Sequence, residues 1–370
     1  MIVRWLVETS GFGRSRRFFV NHTRRFPERK TVPDHPIQLW RCLMKYRITA
    51  WINLVVLAVL LSACASPAAT PTPQSPVSTS DSNALPSPAP FPLLVTDDLG
   101  RKVMVAAMPK RIVSLAPSNT EILFAVGAGD QVVGLTQYCN YPPEASTRRA
   151  LIGGFSANSI SIEKILTLQP DLVVSAGSSH RTVIEALEQI NVPVLALDAQ
   201  NLDGIYKNIL MVGQVTGHDT QAQTLVDQMK QRVAAVSDKV KTTPAQERPR
   251  VFYEVWDEPL MTAGSATFVH QVIELAGGVN IFADVKEQYP KVSPEVVVAR
   301  DPDVILGPLT HSNALVASKI AARPGWQPIK AVQKGRIAIV DGDVISRAGP
   351  RIVDAIEIVA KLLHPDRFKP

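Results

Sequence analysis

The sequence predicts an α/β fold in which a single long helix joins two similar lobes, and three observations support this prediction. From Leu93 to His364, short apolar runs alternate with helical patterns, as βαβ units and mainly parallel sheets require. A phrase of 14 residues occurs twice in the chain, 132 residues apart. A long uninterrupted helical pattern lies between the two copies.

The repeated phrase covers Ser161–Val174 and Ser293–Leu306, with Ser, Glu, Pro and Asp at identical spacing. This period is too long for a solenoid unit and predicts two similar lobes. Each copy predicts a helix capped by its serine, then a turn and a buried strand. Glu163 and Glu295 fall at the second helical position, whereas a capping box needs the third. They either complement the helix dipole or form a matched pair of docking charges.

Apolar runs predict four strands in the first half of the globular region and three in the second. They are Arg111–Leu115, Val132–Thr136, Leu172–Ser175, Val194–Leu197, Val251–Glu254, Val304–Leu306 and Ile337–Val340. Helices are predicted to begin near Ser118, Ser161, His180, Thr267, Ser293, Ser312 and Gly349. Ser118 and Glu121 also match a capping box.

Asp219–Lys241 is predicted to be the helix between the lobes. Its apolar residues recur at steps of three or four and form one stripe: Leu225, Met229, Val233, Val236 and Val240. At about 1.5 Å per residue, a helix of this length spans roughly 35 Å, the height of a small domain. We therefore expect an N-terminal lobe at 93–216, the connecting helix at 217–243 and a C-terminal lobe at 244–370.

The chain before the lobes resembles a lipoprotein leader. Residues 44–63 combine a short basic start with an apolar segment, and their Leu-Ser-Ala ending before Cys64 resembles the bacterial lipobox. Residues 64–92 are a tether rich in proline, serine and threonine that cannot bury a core. We expect Cys64 to be lipidated and to anchor the protein on the extracytoplasmic side; an uncleaved anchor is the alternative.

Residues 1–43 carry nine basic and three acidic residues, a net charge of +6. This equals the formal charge of the whole chain, so the remaining residues have no net formal charge. We interpret residues 1–43 as a mis-annotated extension, with translation starting at Met44. The charge therefore does not indicate nucleic-acid binding. Cys139 is a lone thiol in the globular part, and we expect no disulfide there.

Signals for catalysis or metal binding are sparse. The chain has no Gly-x-Ser-x-Gly elbow, Walker loop or His-Glu-x-x-His motif, and its histidines are scattered singly. We interpret those histidines as surface or capping residues and expect neither a catalytic residue nor a metal site.

The chemically informative residues lie in loops that follow predicted strands or precede the two copies of the repeated phrase. In open α/β sheets, ligands bind beyond the carboxyl ends of the strands. The candidate ligand-binding residues in these loops are Tyr138, Phe155, Trp256, Tyr289, Asp343 and Arg347. Each repeated glutamate is preceded by one of the aromatic residues, which predicts an aromatic-lined cleft between the lobes.

Taken together, these motifs resemble the cobalamin-binding receptors of bacterial ABC importers. The resemblance covers nearly the whole chain from Val95 to His364. It rests on six stretches that follow one another in the order typical of the group, three in the first half and three in the second. They are 111–121, 138–143, 161–172, 280–282, 289–295 and 347–351. The broader group includes receptors for ferric siderophores and haem. It implies two Rossmann-like lobes joined by one long backbone helix.

The resemblance also implies roles for single residues. Glu163 and Glu295 match two glutamates that dock onto arginines of the permease dimer. Tyr138, Phe155 and Tyr289 fall where aromatic residues contact the corrin ring, although tryptophan is more usual at the last two. Asp343 and Arg347 match polar residues near the ligand's amides, whereas Trp256 lies one position away from any aromatic of the pattern.

We therefore expect a monomeric, lipid-anchored receptor that delivers a corrinoid to an ABC permease and its ATPase subunits. The corrinoid is cargo and not a cofactor. A ferric-siderophore or haem receptor of the same fold is the alternative. A lipid-anchored enzyme is a third hypothesis, which the missing nucleophile and metal motifs disfavour.

Overall fold

The structure is a computed structural model that describes residues 91–147, 149–309 and 315–369. The predicted leader 44–63, the predicted lipidation site Cys64, the tether up to residue 90 and residues 1–43 lie outside the described residues. In the described ranges, no helix is both long and apolar enough to cross a bilayer. The described residues of both lobes belong to one compact unit.

The first lobe is built around a parallel sheet. Its strands are β1 (Leu93–Thr96), β2 (Lys102–Val105), β3 (Ile112–Ser114), β4 (Val132–Leu135), β5 (Ala150–Leu151), β6 (Leu172–Ser175) and β7 (Val194–Ala196). Its helices are α1 (Pro117–Ala125), α2 (Ile162–Thr167), α3 (Arg181–Glu188) and α4 (Leu202–Thr216). β1 and β2 form an antiparallel hairpin, and the parallel sheet has the order β5-β4-β3-β6-β7. Every residue of β3, β6 and β7 is buried, because helices cover both faces of a parallel sheet.

The second lobe repeats this plan. Its strands are β8 (Arg250–Trp256), β9 (Met261–Thr262), β10 (Val279–Asn280), β11 (Val304–Leu309) and β12 (Ile337–Asp341). The connecting helix is α5 (Asp219–Val240), and the later helices are α6 (Phe268–Leu275), α7 (Pro294–Arg300), α8 (Ala317–Ala321), α9 (Lys330–Gln333), α10 (Gly342–Ser346) and α11 (Ile352–Leu363). β10, β8, β11 and β12 pair in parallel, and β9 pairs antiparallel with β8.

The connecting helix α5 contacts both lobes along its length. It packs against α4 of the first lobe and α11 of the second. Arg232 on α5 forms ion pairs with Asp354 at 2.6 Å and Glu357 at 2.8 Å, both on α11. Its fully buried side chains are Ala222, Val226, Met229, Val236 and Val240. Because both lobes bury part of its surface, α5 is a stiff support for the two sheets.

The predicted α/β fold of two lobes is confirmed. Each predicted strand is present, and its ends agree to within two residues, except that β11 continues to Leu309. The hairpin β1–β2 and the short strands β5, β9 and β10 were not predicted, because two to four residues give too little pattern. The helix predicted near Ser312 begins among residues outside the description, and the described helix α8 starts at Ala317.

The predicted capping box at Ser118 and Glu121 is wrong. Helix α1 begins one residue earlier, with Ala116 as its N-cap and Pro117 at its first position, and no side chain caps it. The carboxylate of Glu121 instead binds two arginines of the second lobe. The motif matched the sequence, but long-range ion pairs determine where this carboxylate points.

Candidate functional site

A cleft of about 820 Å³ lies beyond the carboxyl ends of the strands. The lining residues are Pro117, Ser118, Gln137, Tyr138, Asn140, Phe155, Asp343, Ser346, Arg347 and Ala348. Residues of both lobes therefore form its walls, as expected at the edges of two open α/β sheets. Four of the predicted site residues meet here: Tyr138, Phe155, Asp343 and Arg347.

Two aromatic rings give the cleft an apolar wall. Tyr138 follows β4 and is 51% exposed, and Phe155 follows β5 and is 41% exposed. Large exposed rings in a concave surface are typical of binding sites, because a ligand that covers them gains the free energy of their burial. The wall therefore suits a ligand with a broad apolar face.

His180 holds the Phe155 loop in place. The backbone N–H of Ala176 donates to His180 Nδ1 at 3.1 Å, and His180 Nε2 lies 2.8 Å from the Phe155 carbonyl oxygen, to which it donates. The two rings meet edge to face with centroids 5.2 Å apart. Burial lowers the pKa of His180, although its bond to the Phe155 carbonyl raises it. His180 is not a surface residue, because it is fully buried. It stands at the N-cap position of α3, but its side chain makes no capping bond there.

Arg347 is held by acceptors from both lobes. Its Nη1 donates to Glu121 Oε1 at 2.9 Å and to Asn140 Oδ1 at 2.7 Å. Its Nη2 donates to the Tyr138 carbonyl oxygen at 3.3 Å and lies 2.7 Å from Asp343 Oδ2. Three of these contacts are hydrogen bonds and the fourth is an ion pair, so both terminal nitrogens of the guanidinium face acceptors of the protein.

Glu121 links a second arginine to this network. Arg351 Nε donates to Glu121 Oε2 at 3.0 Å, and its Nη2 donates to Oε1 at 2.7 Å. The guanidinium of Arg351 also lies over the ring of Tyr141, 4.1 Å from its centroid. The side chain of Glu121 is 1% exposed. Sequence reasoning missed Glu121 and Arg351 as site residues, since their partners lie more than 200 positions away along the chain.

Tyr289 lies in a smaller neighbouring cavity of about 210 Å³. This cavity shares Ser118 and Ala348 with the larger cleft, so the two are adjacent. Near it, Gln271 of the second lobe donates to the Gln200 carbonyl oxygen of the first at 2.8 Å. The structure thus brings Tyr289 to the edge of the site and not into its centre.

Trp256 is not among the residues that line either cavity. It ends β8, and its Nε1 donates to the Glu258 carbonyl oxygen at 2.9 Å. The side chain is 37% exposed. A role for Trp256 in ligand binding stays a prediction.

Glu163 and Glu295 occupy the second positions of α2 and α7, as predicted, and both are exposed. Ser161 caps its helix by accepting from the Lys164 N–H at 3.2 Å. Ser293 makes no capping bond to its helix, and its hydroxyl instead lowers the pKa of Glu295. Among the described residues, neither glutamate forms an ion pair. Both carboxylates are thus available to a partner.

The lone thiol of Cys139 is a buried structural group. Its Sγ lies 3.1 Å from Thr120 Oγ1 and 3.2 Å from Thr136 Oγ1. Burial raises its pKa, which makes the thiol unreactive. In the described ranges, no group of three or more His, Cys, Asp or Glu side chains is placed to hold a metal ion.

Comparisons with known proteins agree with this geometry. The family model described as "Periplasmic binding protein" matches residues 112–344. The chain is 34% identical over 331 residues to an uncharacterized ABC transporter substrate-binding lipoprotein of Bacillus subtilis, covering 88% of this chain and 100% of the relative. It is 33% identical over 275 residues to a vitamin B12-binding protein of Vibrio cholerae, covering 73% and 94%.

Solved structures give the same result. The crystal structure of the periplasmic vitamin B12-binding protein of Vibrio cholerae superposes with a TM-score of 0.60 at 30% identity, over 71% of this chain and 99% of that one. A periplasmic heme-binding protein from Roseiflexus superposes with a TM-score of 0.62 at 29% identity, over 70% and 99%.

Proposed function

This chain belongs to the periplasmic binding protein family, and we propose that the cargo it binds is a corrinoid such as cobalamin. Members of the family are substrate-binding proteins of transporters and not enzymes, and they bind the ligand as cargo and not as a cofactor. Such proteins act outside the cytoplasm and deliver their ligand to a permease with its ATPase subunits.

The observation that carries the proposal is the state of Arg347. Both of its terminal nitrogens are engaged by acceptors of the protein through three hydrogen bonds and an ion pair, which disfavours bidentate binding of an anionic ligand by this guanidinium. Polar groups that remain for a ligand include the Gln137 amide and the second oxygen of Asp343. These groups suit a ligand whose rim carries uncharged amides.

A corrinoid has this chemistry, because it is a large disc with apolar faces and amide side chains on its rim. The rings of Tyr138 and Phe155 would cover a face, and Tyr289 would contact the edge. The similarity to vitamin B12-binding proteins supports the same ligand. The similarity to a heme-binding protein keeps haem as the alternative, since haem also has a broad apolar face.

The delivery step would use Glu163 and Glu295. Their placement on equivalent helices of the two lobes supports docking to a permease dimer with two-fold symmetry, one glutamate for each half. Carboxylates form bidentate, charge-assisted bonds with arginines, which makes such a contact orientation-specific. Lipidation of Cys64 would keep the receptor close to that permease.

Titration calorimetry with cyanocobalamin, haem and a ferric hydroxamate tests the proposed ligand. We expect cyanocobalamin to bind with a dissociation constant below about 1 μM, corresponding to about −8 kcal/mol, and more tightly than the other two. Tighter binding of haem or the ferric hydroxamate, with none of cyanocobalamin, would assign the protein to the alternative.

A further inference from the structure

Four charged side chains meet behind the cleft and form what we call the charge cluster: Glu121, Asp343, Arg347 and Arg351. Glu121 comes from the first lobe and the other three come from the second. The cluster contains two carboxylates and two guanidinium groups, so its formal charges cancel. Only Asp343 and Arg347 line the ligand cleft.

Glu121 is the centre of the cluster. It receives hydrogen bonds from Arg347 at 2.9 Å and from Arg351 at 3.0 and 2.7 Å. With 1% of its side chain exposed, it is shielded from water, and its charge acts on the two arginines with little screening. A buried charge of this kind costs free energy to desolvate and is weak evidence for added stability, which directs attention to a functional role.

We propose, on the basis of the corrinoid function above, that Glu121 determines the charge preference of the cleft. By neutralising Arg347 and occupying one of its N–H bonds, Glu121 makes the site select an uncharged ligand. Without this carboxylate, the cluster would carry one surplus positive charge beside the cleft. Arg347 Nη1 would then lose one of its two acceptors and keep the other, Asn140 Oδ1, and the surplus charge would attract an anionic ligand.

The other charges nearby do not replace Glu121. Asp341 uses its carboxylate to cap α10, where it accepts from the N–H groups of Asp343 and Val344 at 2.8 and 3.2 Å. Asp198 lines the smaller cavity, and there its carboxylate accepts from the N–H of Ser178 at 3.0 Å. Glu121 is therefore the first-lobe carboxylate that contacts Arg347.

A matched pair of probes isolates the charge. Cyanocobalamin and its monocarboxylic acid, in which one rim amide is hydrolysed, differ by one negative charge at nearly constant shape. We define the selectivity as the affinity for the amide divided by that for the acid. The electrostatic interaction between one unit charge in the cluster and the carboxylate of the acid changes this ratio by about fivefold.

The proposal predicts a different selectivity for each of three variants. Glu121→Gln keeps the shape but leaves a surplus positive charge, so the selectivity falls about fivefold. Arg351→Gln leaves a surplus negative charge, so the selectivity rises by a similar factor. The double variant is neutral again and returns to within about twofold of the unmodified protein.

A merely structural role for Glu121 makes a different prediction. Damage to the cleft would weaken both probes and leave their ratio unchanged, which would overturn the proposal. Changes in the same direction for Glu121→Gln and Arg351→Gln would also overturn it. Thermal unfolding shows whether each variant folds. If Glu121→Gln does not fold, the selectivity of Arg351→Gln is compared with that of the neutral double variant, and the two again differ only in the charge at position 121.

Failure of the corrinoid function is distinguishable from failure of the charge role. If the unmodified protein binds neither corrinoid, the proposed function fails, and haem with its uncharged dimethyl ester becomes the probe pair. A preference for the ester that Glu121→Gln reverses supports the role of Glu121 without any corrinoid. A preference for the dianionic haem in the unmodified protein contradicts it.

Discussion

At the scale of single residues, buried side chains behind the cleft wall determine the orientation and charge of the side chains that line it. His180 binds the backbone of Phe155 and packs against its ring, and Glu121 neutralises Arg347. In each case a buried group with fixed partners orients a group at the cleft surface. The cleft is therefore rigid where its supports are buried.

The pH dependence of stability tests the role of His180. Burial lowers its pKa in the folded protein, so the unfolded chain takes up a proton first as the pH falls. Stability is thus complete above about pH 6.5, the ordinary value for histidine, and is lost as the pH falls from there towards the lower folded pKa. We expect His180→Gln, which can still donate and accept, to show a smaller drop in Tm between pH 7.5 and 5.5.

His364 limits the size of this effect. Burial lowers the pKa of His364 as well, so part of the acid sensitivity remains in His180→Gln. The matched variant His364→Gln removes the part of the acid sensitivity that His364 contributes. An unchanged pH profile in His180→Gln, with normal Tm at pH 7.5, would show that His180 does not titrate in this range.

Alanine substitutions measure the contribution of each aromatic residue. Tyr138→Ala and Phe155→Ala should each weaken corrinoid binding by about 10- to 100-fold, because a buried ring contributes about 1.5–3 kcal/mol. Calorimetry measures this loss. The same change at Trp256 decides its predicted role: a loss of similar size confirms it, and unchanged affinity excludes it.

Residues of the site differ in how well the sequence predicts them. The loop aromatics were predictable from local pattern: Tyr138 follows an apolar run typical of a buried strand, and Phe155 precedes the first copy of the repeated phrase. Glu121 was not, because it pairs with residues 226 and 230 positions away and a single sequence holds no record of that pairing. His180 contacts Phe155 25 positions away and looked like any scattered histidine.

At the scale of secondary-structure elements, the duplicated phrase produces two equivalent helices, α2 and α7. The sequence predicted both, because serine before the helix and glutamate at its second position are local signals. Their capping differs: Ser161 caps the backbone of its helix, whereas Ser293 makes no capping bond. Local pattern therefore predicted the elements and the positions of the glutamates, but not the bonds made by each serine.

Removing both glutamates tests the docking function of these helices. Glu163→Ala combined with Glu295→Ala should leave ligand affinity unchanged and abolish stimulation of the transporter ATPase, because the exposed carboxylates lie outside the cleft. ATPase rates with the reconstituted transporter measure this effect.

A matched control removes two other exposed glutamates, one from each lobe. Glu185→Ala with Glu247→Ala removes the same two negative charges as the first double variant but should preserve stimulation. Normal ATPase stimulation by the first double variant would return Glu163 and Glu295 to a purely helix-stabilising role.

At the scale of the whole molecule, helix α5 and the charge cluster both connect the lobes. Helix α5 packs against both, with Arg232 paired to α11, and the charge cluster crosses between them at the cleft. The alternation of strands and helices predicted this architecture from sequence. The second connection depends on pairs of distant residues and became visible only in the folded chain.

The two connections have a common consequence for function. A stiff helix behind the lobes and ion pairs between them keep the aromatic wall and the docking helices in a fixed relation. In the proposed function, a ligand would therefore meet a preformed cleft, and a permease would meet Glu163 and Glu295 at a fixed separation. Preorganisation of this kind reduces the entropic cost of binding.

The visible absorption spectrum of the protein purified from its native host tests the corrinoid assignment most directly. Corrin, haem and ferric hydroxamate chromophores absorb differently, so the spectrum identifies the cargo without any choice of ligand by the experimenter. We predict the bands of a corrin, which leave with the ligand on denaturation. The Soret band of haem, or the charge-transfer band of a ferric complex, would contradict the assignment.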